Sequence, residues 1–324
     1  MDLHRIRLAV LAVSLAPTLW GAPLFSVGDS TLADPAAAGE AAALEAAAAL
    51  KGAEAKIVLV FSARKQMTPA LIEGLAKVFP KERIYGCEGY SPLSTDTNFA
   101  DQGHNAQRAV SVLAMAGDVT PVVATETTKS EGKWLACGES LGKKLKEHYE
   151  PGKGVMLTFG DQHVGANNRD VVNGLRKVLG DKIPLVGAAA GQSDAKEIVA
   201  GKIVTATNVI ILLKGDFHVR SMMRGAGDKK EFLDRTTEAF GAVFDAKQAA
   251  LLTLVFDCGG RRGVLFGQKR LTEEYGVMKT FAGDSPLFGL YGGGEVGCAK
   301  LGAAPTGVGY HVSVAALLPG AAPE

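Results

Sequence analysis

Ser285-Pro-Leu-Phe-Gly-Leu-Tyr-Gly-Gly-Gly-Glu-Val-Gly297 is a short apolar run that breaks into glycines and then presents one carboxylate, Glu295. Two earlier stretches share its form: Ile183-Pro-Leu-Val-Gly-Ala-Ala-Ala-Gly-Gln-Ser-Asp194 and Arg83-Ile-Tyr-Gly-Cys-Glu-Gly-Tyr90, each a strand-like run that ends in glycine. A strand that stops at glycine can turn sharply through positive φ and bring bare backbone N–H groups to a ligand; the plainer reading is a tight turn. Recurrence at three matching places predicts a shared site.

What surrounds each run repeats as well. Residues 36–53 are alanine-rich, with Glu40, Leu44, Glu45 and Leu50, and end at Gly52, which predicts a packed helix. Residues 57–61 read as a fully buried strand, 68–79 as an amphipathic helix with Pro69 in its first turn, and 84–86 and 109–115 as strands. The order then restarts, with a helix at 134–149, a strand at 155–159, a helix at 169–179, and strands at 183–187 and 209–213. A third pass gives a helix within 231–246, a strand at 251–256, a more irregular helix at 271–281, and strands at 287–290 and 311–318. Gly74-Leu-Ala-Lys-Val78 and Gly174-Leu-Arg-Lys-Val178 hold the same place in successive helices. A period a little under about 100 residues is too long for a solenoid and indicates duplication within a globular fold.

The expected fold is therefore α/β, with three internally repeated helix-strand-helix-strand-loop-strand units forming sheets flanked by helices. Strand, helix, strand at this spacing implies a right-handed parallel crossover, so the two parallel strands of each unit end on one edge. Ligands bind beyond such carboxyl ends. That edge carries Ser62, Arg64, Gly86 and Cys87 in unit one, and Asp161, His163, Gly187 and Gly191 in unit two. In unit three it carries Cys258, Arg261, Gly289 and Glu295.

The chain has 324 residues, 47% of them hydrophobic, which is ample for a large core. Its net charge of +1 makes no field that would gather nucleic acid, and neither nucleic acid nor a cofactor is expected. Arg5 and Arg7 precede an apolar run at 8–15 that Pro17 closes too soon for a membrane span, the pattern of an export signal. The expected leader is 1–33, cut after Ala22 or after Ala33, and the product periplasmic or extracellular, with no membrane span after processing. Four cysteines in an exported chain permit two disulfides. Cys258 with Cys298 is the expected pair, both lying beyond strand ends of one unit, and Cys87 and Cys137 remain.

Cys87 follows a strand and a glycine, as thiol nucleophiles do, but lacks the flanking glycines of a nucleophile turn. Asp161-Gln-His163 could begin a metal site, yet no third ligand is evident, and an Asp after a strand also caps helices. Arg261 and Glu295 can take a carboxylate and an ammonium respectively, so together they suit a zwitterion; a salt bridge between the two is the alternative. The expected ligand shell is Arg261, Glu295, Gly187, Gly191, Asp161, Gly289, Tyr291 and Cys87.

Ile84-Tyr-Gly-Cys87, Phe159-Gly-Asp161, Pro184-Leu-Val-Gly187-Ala-Ala-Ala-Gly191, Phe256-Asp-Cys258-Gly-Gly-Arg261 and Gly294-Glu295-Val-Gly297 together resemble the FIST family (F-box and intracellular signal transduction proteins) over residues 41–318. On that resemblance 37–216 would be the N-terminal region, with two units, 217–318 the C-terminal region, and 319–324 a tail. The resemblance implies a sensory module that binds small polar ligands, amino acids among them, and works with a signalling partner. Glu88-Gly89-Tyr90 departs from the Ser-rich loop expected there, and 319–324 offers no output module. A thiol- or carboxylate-dependent hydrolase using the same edge, and a protein-docking scaffold, stay open.

Overall fold

The computed structural model describes residues 21–128, 133–161, 166–191, 194–225, 232–244 and 249–320; the export signal's basic and apolar segments, His163 and residues 321–324 lie outside them. Unit one runs β1 (Pro23–Ser30), α1 (Pro35–Ala48), β2 (Ile57–Ala63), α2 (Pro69–Leu75), β3 (Ile84–Gly89), β4 (Ser91–Leu93) and β5 (Val110–Gly117). Unit two repeats it as β6 (Val119–Thr127), α3 (Trp134–Leu145), β7 (Val155–Gly160), α4 (Ala166–Leu179), β8 (Leu185–Ala189), β9 (Lys196–Val199), β10 (Lys202–Thr205) and β11 (Thr207–Gly215). Unit three is β12 (Phe217–Gly225), α5 (Phe232–Val243), β13 (Leu252–Cys258), α6 (Gly259–Gly267), α7 (Leu271–Ala282), β14 (Leu287–Gly292), β15 (Glu295–Cys298), β16 (Pro305–Val308) and β17 (His311–Pro319).

Each unit builds one sheet and lends strands to another. The orders are β1-β5-β2-β3-β9-β10, β6-β11-β7-β8-β15-β16 and β12-β17-β13-β14-β4. Within each, two parallel strands (β2 with β3, β7 with β8, β13 with β14) are followed by a strand from a different unit. Unit two completes the first sheet, unit three the second and unit one the third, so the ring of lent strands is closed. The glycine loops are the points where the chain leaves one sheet for the next.

Alternation sorts the side chains. Ile57, Leu59 and Phe61 of β2 face a central core with Leu157 and Phe159 of β7 and Leu254 and Phe256 of β13. Val58 and Val60 face outward, under α1 and α2. The three phenylalanines, one per unit, meet at the centre, with Phe61 edge-on to Phe159 at 5.8 Å and to Phe256 at 6.0 Å. Outside, α1 starts where the Asp34 carboxylate accepts from the Ala37 N–H at 2.8 Å. It packs against α2 through glycines: a Cβ on Gly74 would lie 2.0 Å from the Ala36 carbonyl, and one on Gly174 of α4 2.2 Å from the Leu135 carbonyl of α3.

Residues 23–30, placed by the sequence within the leader, form β1 and pair along their whole length with β5. Cleavage after Ala33 would remove a strand from the first sheet. Among the described residues no helix is long and apolar enough to cross a membrane.

Candidate ligand site

The carboxyl ends of the three parallel pairs converge. The Tyr90 N–H donates to the Tyr291 carbonyl at 2.9 Å, the Gly191 N–H to the Glu88 carbonyl at 3.2 Å, and the Gly293 N–H to the Ala189 carbonyl at 3.0 Å. These bonds tie the glycine loops to one another. Gly86, Gly187 and Gly289 have a reason the sequence reading missed: they lie inside strands, and a Cβ would come within 1.8, 1.9 and 1.8 Å of the Val60, Thr158 and Val255 carbonyls. Gly187 and Gly289 therefore permit close strand pairing and do not offer N–H groups to a ligand, a correction to their expected role.

Arg261 and Glu295 are corrected too. Both are fully buried. The first turn of α6 swings Arg261 back beneath the helices, where Nε donates to Asp257 at 2.6 Å and Nη2 to Thr236 at 2.7 Å and Glu274 at 2.8 Å. Its guanidinium also lies 4.8 Å from the Phe232 ring centroid. Burial, then the neighbouring Glu274 charge, leaves Asp257 raised to about 8 despite Arg261. Glu295 accepts from the His311 N–H at 3.0 Å, and burial pushes its carboxyl well up. Arg261 is thus held between Asp257 and Glu274 inside the fold, an interior support and not a clamp. Tyr291, also buried, donates to Glu274 at 3.1 Å and carries Arg262 over its ring at 4.7 Å.

The four cysteines are free and buried, against the expected Cys258–Cys298 bridge. The Cys258 thiol caps α6 by accepting from the Gly260 N–H and neighbours Glu295. Cys298 lies three residues further along β15, about 10 Å of extended chain, and is bonded instead to Ser221 of β12. Cys87 faces the central core, and burial followed by Glu197 pushes its thiol well up, opposite to what a nucleophile needs. Asp161 is half-buried, raised to about 6 by burial, and bonded to Thr128. No group of three metal-ligating side chains occurs among the described residues.

A cavity of about 170 Å³ does open at this edge, between Arg64, Glu88, Tyr90, Asn105, Gln107 and Gly191. Tyr90 stacks on His104 with centroids 5.6 Å apart. Arg64 is half exposed; Nη2 meets Asp194 at 2.5 Å and Nε stands 3.8 Å from Glu88. Glu88 is almost wholly buried, and burial raises it to about 7 against the opposing pull of Arg64 and Lys196. Among the described residues its Oε2 finds no hydrogen-bond partner, nor does the hydroxyl of Ser62, its register neighbour on β2. At the wall of a cavity, such an unpartnered acceptor can take a donor from water or from a ligand.

The sequence brought Ser62 and Arg64 to this edge but set Glu88 aside as a departure from pattern. Arg262 was missed. Its guanidinium donates to the Asn98, Phe99, Gly103 and His104 carbonyls at 2.8 to 2.9 Å, fastening the loop that supplies Asn105 and Gln107.

A family model described as the FIST N domain matches residues 56–226, and one described as the FIST C domain matches residues 199–298. No curated protein matches the sequence. Similar solved structures include a cyanuric acid hydrolase at 10% identity and TM-score 0.47, covering 91% of this chain and 100% of its own. A second, from A. caulinodans, has 11% identity and TM-score 0.45 over 91% and 99%. A chorismatase has 9% identity and TM-score 0.43 over 92% and 98%.

Proposed function

The chain belongs to the FIST family, whose domains are generally sensory and ligand-binding, and from that premise we propose that it senses a small zwitterion of the amino-acid class bound between Arg64 and Glu88. The observation that carries this is Glu88: a buried carboxyl with an oxygen unpartnered among the described residues, beside a half-exposed guanidinium, at the wall of a cavity. On this reading the ligand's carboxylate takes the place of Asp194 on the Arg64 guanidinium, and Glu88 is an acceptor for the ammonium. Tyr90 supplies a flat wall. The volume favours a ligand of few atoms, since drug-sized molecules occupy pockets of roughly 300–1,000 Å³.

The test is a thermal-shift screen with the common L-amino acids, each paired with the analogue that lacks its ammonium. At least one amino acid should raise the melting temperature saturably, by mass action on the folded state. Its deaminated analogue should not, and Arg64→Lys should blunt the response without lowering the unliganded midpoint. If no small zwitterion shifts the midpoint, the proposal fails.

A further inference from the structure

The Arg64 guanidinium already holds a carboxylate. Asp194 Oδ2 stands 2.5 Å from Nη2, where one oxygen of a ligand's carboxylate would come to lie. The Asp194 side chain is 65% exposed, so the ion pair and not packing places it there. Its hydrogen bond to Arg64 holds the carboxyl below its ordinary value, and it is charged at neutral pH.

Asp194 comes to this edge from unit two. Two neighbours in the chain fix it beside β3, the strand of Glu88: the Gly191 N–H donates to the Glu88 carbonyl at 3.2 Å, and Lys196 opens β9, whose Glu197 and Ile198 pair with Cys87 and Gly86. When the side chain lets go of Arg64, its carboxylate therefore stays within reach. Asp194 also belongs to the field that Glu88 feels, raising its carboxyl while Arg64 and Lys196 lower it. Arg64 Nε is 3.8 Å from Glu88, so a ligand carboxylate that takes the fork side-on, through Nε and Nη2, must displace Asp194.

We infer that Asp194 is an internal competitor for the ligand's carboxylate: it occupies the seat on Arg64 while the site is empty and so sets the concentration at which the site fills. This rests on the reading that a zwitterion binds between Arg64 and Glu88. The strength of the competition follows from the exposure of the pair. An exposed ion pair is made about 1.4 to 5 times as often as it is broken. Displacing it therefore weakens the apparent affinity about two- to sixfold.

Asp194→Asn keeps the size of the side chain and removes its charge. The common L-amino acids, titrated calorimetrically into the full chain at pH 8, should bind this variant about two- to sixfold more tightly than wild type wherever wild type binds them. Asp194→Glu, which keeps a carboxylate, should stay near wild type. Phenylglyoxal, which reacts with guanidinium groups, is a second probe that needs no amino acid: peptide mass spectrometry should find Arg64 modified faster in Asp194→Asn than in wild type. Equal rates of Arg64 modification, or amino acids bound no more tightly by Asp194→Asn, would overturn the inference and leave the binding reading standing. Faster modification with no amino acid bound by either chain would overturn both, because Asp194 would then have nothing to compete with.

Discussion

Glu197 makes the sharpest stability prediction. It stands on β9 opposite Cys87 of β3, fully buried, with one carboxyl oxygen accepting from the Thr207 N–H at 3.3 Å and the other without a partner among the described residues. Burial first, and Asp161 second, move its pKa from 4.5 to about 9. In the unfolded chain the group titrates near its ordinary value, so between these two values the native state binds the extra proton and stability falls as pH rises. At pH 8 the gap of about 3.5 units, at about 1.36 kcal/mol each, sets a ceiling of about 5 kcal/mol. Water entry and relaxation bring the realised cost down, and about 2 kcal/mol would still move the midpoint by about 3 °C. Glu197→Gln preserves the shape and the acceptor for Thr207 while removing the ionisation. Melting curves of both proteins from pH 5 to 9 should coincide at the acid end and separate above it, with the variant the more stable at pH 8. Asp161, Glu88 and Asp257, raised by the same cause, should leave the variant a residual slope of the same sign. Parallel curves, or a variant less stable at pH 8, would refute the reasoning.

Further expectations follow from the same geometry. Gly187→Ala drives a methyl to within 1.9 Å of the Thr158 carbonyl, and denaturant unfolding should show a loss of about 3 kcal/mol or more, or no folded protein. Arg261→Lys gives up the fork to Asp257, Thr236 and Glu274 and should cost about 3 kcal/mol by the same assay with ligand response retained, whereas Glu295→Gln keeps an acceptor for the His311 N–H and should cost less than about 1 kcal/mol. Arg262→Lys cannot reach four carbonyls, so hydrogen exchange in residues 98–107 should accelerate and the zwitterion should bind less tightly.

The three-fold repeat was legible because its signals are local: β2, β7 and β13 are continuous apolar runs, and Gly86, Gly187 and Gly289 recur at one register. The edge strands were not. β1 reads as leader, β6 is mostly half-exposed with little alternation, and β4, β9 and β15 pair with other units, so nothing nearby in the chain announces them. At the site, Arg261 was placed beyond a strand end correctly in sequence and wrongly in space, because α6 starts at Gly259 and turns it inward. The i, i+4 spacing of Asp257 and Arg261 was the available sign. Glu88 lay in plain view as a carboxylate between Cys87 and Gly89, but only the folded chain shows it buried with an oxygen unpartnered among the described residues.

The account rests on Glu88 accepting the ligand's ammonium, and calorimetric affinity at two pH values tests that directly. With Glu88 raised to about 7, its charged form is the minor one at pH 6 and the major one at pH 8. Wild-type affinity for the best L-amino acid should therefore tighten about tenfold between those values, while Glu88→Gln should bind weakly and equally at both. An affinity indifferent to pH in the wild type, or a Glu88→Gln variant that binds as tightly as wild type at pH 8, would contradict it.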